Sequence, residues 1–137
     1  MTGHRIAVGS RKGLLMFEEH RGDWRLAGES HLGAPTTYAA TDSRDGTLYA
    51  CLQHGHWGAK LQRSRDAGRT WQEIPAPKYP EGAKLKDGRA ATLLYPWCLA
   101  FGDNLATRGA FDLKLKGASE SGPLGFYQTY RQWRSQI

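Results

Sequence analysis

The chain has 137 residues, the span of one small domain, and no run approaches the ~20 apolar residues of a membrane helix. Glycine fills 17 positions, about 12% against a usual share of about 7%, and with 39% apolar residues this suits a turn-rich β protein. The net charge of +6 is spread along the chain without the basic block that marks a nucleic-acid arm, so neither nucleic acid nor a membrane is an expected partner.

No hydrophobic stretch follows Met1-Thr2-Gly3-His4-Arg5, as a secretory leader would require. Cys51 and Cys98 sit in apolar runs and read as buried thiols of a reducing compartment rather than a disulfide. A cytoplasmic protein is the expectation.

Residues 5–10 (Arg-Ile-Ala-Val-Gly-Ser) read as a strand, 10–13 as a turn, 14–19 as a second strand, 20–23 as a turn and 24–27 as a third strand. His31-Leu32-Gly33-Ala34-Pro35 breaks the pattern. A second cycle starts with a strand at 38–41 and a hairpin signal at Ser43-Arg44-Asp45-Gly46. Residues 47–53 are nearly all apolar, as in a strand buried on both faces. A turn at 54–58 (His-Gly-His-Trp-Gly), an alternating run at 59–64 and a short strand at 71–74 complete it.

Between the last two strands lies Ser64-Arg65-Asp66-Ala67-Gly68-Arg69-Thr70-Trp71, a Ser-x-Asp-x-Gly-x-Thr-Trp turn. The Asp66 carboxylate is expected to take backbone N–H groups a residue or two ahead. Gly68 supplies positive φ. Thr70 and Trp71 open a strand, and Trp71 fills the gap between stacked sheets. Trp24 and Trp71 stand 47 residues apart, so the two cycles form a degenerate repeat whose first copy has lost most of the turn and its innermost strand.

This turn resembles the Asp-box, and residues 5–102 resemble the Asp-box (BNR-repeat) sialidase-like β-propellers. The opening motifs, Arg-Lys-Gly-Leu at 11–14, Asp-Gly-Thr-Leu-Tyr at 45–49 and the 54–58 turn, look like those of bacterial exo-α-sialidase-like or glycosyl-hydrolase-like proteins. The resemblance implies an all-β partial propeller of two four-stranded antiparallel blades, at 5–30 and 36–74, with a third beginning at 97–102. Two blades cannot close a ring, which needs four or more, so self-association through exposed sheet edges is expected. Residues 103–137 lack the repeat. An alternating run at 111–116 suggests one exposed strand, and Phe126, Tyr130, Trp133 and Ile137 form a helical stripe. The abrupt change suggests a truncated or frame-altered ending.

In an up-and-down four-stranded unit the Asp-box lies at the opposite end from the second turns and the connections between units. That rim would gather Arg11, Lys12, His31, the 54–58 turn and the proline-rich 75–95 loop. In sialidase-like propellers such a rim holds the substrate, so His54, His56 and Trp57 are the leading ligand-binding candidates, followed by Arg11, Lys12 and His31. A Trp face suits a sugar ring, and His or Arg donors suit hydroxyls or a carboxylate. A protein ligand fits the same rim. The reading assigns Ser64, Asp66, Gly68, Thr70 and Trp71 a structural role. Cys51, His54 and His56 lack a fourth neighbouring ligand for zinc, so neither a metal nor a cofactor is expected. Sialidases use a Tyr nucleophile with an acid/base Asp and three arginines. The Phe-Arg-Ile-Pro motif that brings the first arginine is missing, Arg5-Ile6 alone being no match, and no catalytic residue is assigned. A non-catalytic binding piece is the first expectation and an incomplete exo-α-sialidase-type hydrolase the second.

Overall fold

The computed structural model describes residues 3–96, 99–101 and 111–112. The described residues are all-β and contain no helix. Strands β1 (Arg5–Ser10), β2 (Gly13–His20) and β3 (Asp23–Ser30) form one antiparallel sheet in the order β1-β2-β3. Strands β4 (Thr36–Thr41), β5 (Leu48–His54), β6 (Gly58–Ser64) and β7 (Gln72–Ile74) form a second antiparallel meander. A two-residue pair, β8 (Ala100–Phe101) and β9 (Phe111–Asp112), follows.

Local chemistry sets the turns. Arg21 and Gly22 both have positive φ, 54° and 88°, which matches the right-handed twist of the strands they join. The β4–β5 connection is closed twice. The Asp42 N–H donates to the Thr47 carbonyl at 2.8 Å, and the Gly46 N–H donates to the Asp42 carbonyl at 2.8 Å. The Asp42 carboxylate is buried and gripped by the Arg44 guanidinium, with Nε–Oδ1 at 2.8 Å. Hydrogen bonding from Arg44 holds this carboxyl below its ordinary pKa.

The second sheet is covered on both faces, as the apolar run at 47–53 predicts. On one face Leu14 of β2 packs against Ala50 and Leu52, joined by Ala7, Met16, Ala39 and Trp71. This layer joins the two sheets. On the other face Tyr49, Cys51, Leu61 and Ile74 cluster with Leu99, and Tyr38, Ala76 and Phe101 close around them. Burial, with the Asp45 charge adding to it, pushes the Tyr49 phenol up to about 12. Gly9 marks the tightest approach: a Cβ there would sit 2.6 Å from the Thr36 carbonyl oxygen.

The structure also moves boundaries. Strand β4 starts at Thr36 rather than 38, because Thr36 pairs with Leu52 across a register irregularity. Trp71 precedes β7 instead of opening it, its indole being turned into the layer between the sheets. The 75–95 loop carries a small bridge of its own between Lys84 and Ala90. Of the strand expected at 97–102, Ala100 and Phe101 form β8, and Phe111 and Asp112 of the expected 111–116 strand pair with them. Trp97, Cys98, Gly102 and the helical stripe lie outside the described residues.

Candidate functional site

The 64–71 turn closes through a denser network than its sequence suggests. Asp66 reaches four residues ahead rather than one or two. Its Oδ1 accepts the Thr70 N–H at 2.8 Å and the Ser64 hydroxyl at 2.7 Å, and its Oδ2 accepts the Thr70 hydroxyl at 2.5 Å. The intervening Ala67 and Gly68 both take positive φ, 61° and 87°, which lets the chain fold back over the carboxylate. Buried Ser64 also accepts the Gly68 N–H at 2.8 Å. Donation from Thr70, first from its hydroxyl and then its N–H, holds the Asp66 carboxyl down at about 2. The Trp71 Nε1–H donates to the Ser30 hydroxyl at 3.0 Å, and that hydroxyl donates to the Gly68 carbonyl at 3.3 Å. The 64–71 turn is thereby tied to the end of β3. Sequence reading missed Ser30 because an isolated serine at a strand end carries no pattern.

The 54–58 bend lies at the far end of the second sheet. His54 pairs with Gly58 at one end of the β5–β6 ladder and Leu48 with Ser64 at the other. Gly58 turns the chain with φ 74°. The Trp57 N–H donates to His54 Nδ1 at 3.4 Å, a long bond that leaves the bend loosely closed. Trp57 is 67% exposed. Its ring meets His56 edge-on at 4.9 Å between centroids and His54 at 6.4 Å. Three adjacent aromatic groups therefore stand at a surface turn, two of them able to donate or accept hydrogen bonds.

Backbone bonds gather the other candidates at this edge. The Gly33 N–H donates to the Lys12 carbonyl at 2.9 Å, and the Gln53 N–H donates to the Pro35 carbonyl at 2.9 Å. The 31–35 connection thus bridges the β1–β2 turn, which carries exposed Arg11 and Lys12, to the strand end beside His54. The 75–95 loop returns near the start of β4, where the Thr37 hydroxyl donates to the Pro96 carbonyl at 2.8 Å.

His31 departs from this group. Its backbone sits in the connection, with φ 55°, but its ring packs edge-on against Trp71 at 4.6 Å. Its Nε2 is buried with no hydrogen-bond partner, and desolvation lowers its pKa. That placement makes His31 part of the layer between the sheets.

No group of three metal-ligating side chains occurs among the described residues. Cys51 is fully buried on the face toward Leu61, in the cluster with Tyr49 and Leu99. A concavity of about 990 Å³ lies at the opposite end of the first sheet, lined by His4, Arg5, Glu18, Glu19, His20 and Arg21 among others, and none of the rim candidates reaches it. No protein-family model and no curated protein matches the chain.

Proposed function

We propose that the chain is a piece of an Asp-box, sialidase-like propeller that binds carbohydrate through the rim at 54–58 without catalysing its hydrolysis. The observation that carries this reading is the exposed Trp57 indole flanked by His54 and His56. An accessible aromatic face stacks on the apolar face of a pyranose, and neighbouring imidazoles donate to or accept from its hydroxyls. Arg11 and Lys12, joined to the same edge through the 31–35 connection, supply positive charge for a sugar carboxylate. The propeller assignment is supported by the Ser64–Asp66–Thr70 network and by the stacking of two antiparallel sheets around Trp71.

The test is titration with sialyllactose, monitored by the Trp57 indole resonance. The reading expects saturable shifts that lactose reproduces only in part, and loss of the accompanying backbone amide shifts of His54–Gly58 in Trp57→Ala. Unmoved resonances at millimolar sugar would reject it. The second reading, an incomplete sialidase-type hydrolase, rests on the Asp-box; turnover of a fluorogenic sialoside by the 137-residue chain would favour it.

A further inference from the structure

His31 stands where the layer between the sheets meets the rim. Its ring lies edge-on to Trp71, and its Nε2 is buried without a hydrogen-bond partner among the described residues. Its backbone opens the 31–35 connection in the left-handed region, at φ 55°, which few non-glycine residues adopt. The connection closes on this same residue. The Ala34 N–H donates to the His31 carbonyl at 3.0 Å, and Gly33, at φ 86°, supplies the positive angle of that turn. The His31 carbonyl also lies against Gly13, where a Cβ would sit 3.1 Å from its oxygen. Two backbone bonds anchor the connection to its neighbours, Gly33 N–H to the Lys12 carbonyl and Gln53 N–H to the Pro35 carbonyl, each at 2.9 Å.

The surroundings do not suit a positive charge on this ring. The end of β3, the 64–71 turn and the β1–β2 turn pack around it. Glu29 of β3 is exposed and, by strand alternation, faces away from the side that Ser30 presents to Trp71. The Asp66 carboxylate is engaged by Ser64 and Thr70. Arg11, Lys12, Arg65 and Arg69 are exposed cations. Burial therefore acts unopposed on the imidazole and favours its neutral form.

We propose that His31 is a proton-operated latch on the 31–35 connection. Neutral, the ring stays against Trp71 and holds the connection in place. Protonated, the ring leaves the layer for water, the His31 backbone relaxes out of its left-handed conformation, and the 31–34 turn opens together with the bonds to Lys12 and Gln53. Those bonds join the β1–β2 turn to the strand end beside His54, so acidification separates Arg11 and Lys12 from the 54–58 bend. A proton on His31 and an anionic sugar spanning both parts of the rim then oppose each other by the same factor. That last consequence rests on the sugar-binding reading above, whereas the latch itself does not.

Two-dimensional NMR of the full chain between pH 8 and pH 5 tests the latch. The His31 ring is expected to titrate below the ordinary 6.5. The Gly33, Ala34 and Gln53 amides are expected to shift and to lose exchange protection at the same midpoint, while the β5–β6 amides stay protected. His31→Asn, which tolerates the positive φ, leaves those three amides flat. Across the same window the sialyllactose affinity of the unmutated chain falls about fivefold or more relative to His31→Asn, both chains retaining His54 and His56. A ring that titrates without the amides, amide changes that survive in His31→Asn, a midpoint at or above 6.5, or loss of β5–β6 protection at the same pH would each overturn the latch. Equal pH dependence of sugar affinity in the two chains would overturn its coupling to the rim. A chain that binds no sugar yet shows the coupled amides keeps the latch and loses the sugar-binding reading.

Discussion

Trp24 and Trp71 stand at equivalent places in two successive sheets, yet only one is part of a core. Trp71 packs with Leu14, Ala50 and Leu52, and its indole N–H reaches Ser30 of the other sheet. Trp24 lies on the outer face of the first sheet, nearly half exposed. Position in the repeat therefore does not decide burial; the presence of a neighbouring sheet does. The second sheet, covered on both faces, holds most of the buried apolar residues among those described. The first contributes Leu14 alone to the fully buried apolar set.

The largest test of this contrast is truncation of the two indoles. Trp71→Ala opens a cavity between the sheets and is expected to cost about 3–5 kcal/mol in urea unfolding. Trp24→Ala, measured at low protein concentration, is expected to cost under about 1 kcal/mol. Equal losses would break the distinction between the sites.

Two glycines of the first sheet sharpen it next. Gly9→Ala drives a methyl against the Thr36 carbonyl at 2.6 Å, and the expected cost is about 1–3 kcal/mol. Gly28→Ala meets nothing within 4 Å and is expected to change stability by no more than about 0.5 kcal/mol.

Acid titration probes the layer between the sheets and the turn beside it. Burial lowers the His31 pKa, so the unfolded chain takes up a proton near pH 6.5 that the folded chain resists. Stability is accordingly lost as pH falls below about 6.5. His31→Asn keeps the positive φ accessible and is expected to flatten that slope in unfolding curves. A smaller loss follows at lower pH. The Asp66 carboxyl is held at about 2 against an ordinary 3.8, so its contribution is present above pH 4 and disappears between about 4 and 2. Asp66→Asn is expected to remove that second step, and an unchanged acid limb would contradict the role given to Thr70.

Much of this architecture is legible in the sequence, because alternation and turn chemistry are local. The residues at 47–53 announce a strand buried on both faces, and the 64–71 turn announces its own positive φ at Gly68. The rest depends on partners distant in the chain. Nothing near His31 signals that its ring turns inward to Trp71 while its backbone stays at the loop edge. Ser30 gains its role only when β3 ends beside the 64–71 turn. The extra positive φ at Ala67 escapes a reading that assigns such angles to glycine. Among the candidate residues, the closeness of His54, His56 and Trp57 follows from their spacing, whereas the link from Lys12 to Gln53 through the 31–35 connection required the fold.

The stacking of the two sheets around Trp71 is tested most directly by nuclear Overhauser spectroscopy on labelled protein. Cross-peaks are expected from the Trp71 indole to the His31 ring and the Ser30 side chain, and from Gly68 to the Met16 side chain. Their absence, with the β5–β6 cross-strand peaks intact, would show two sheets that form without stacking and would contradict the account.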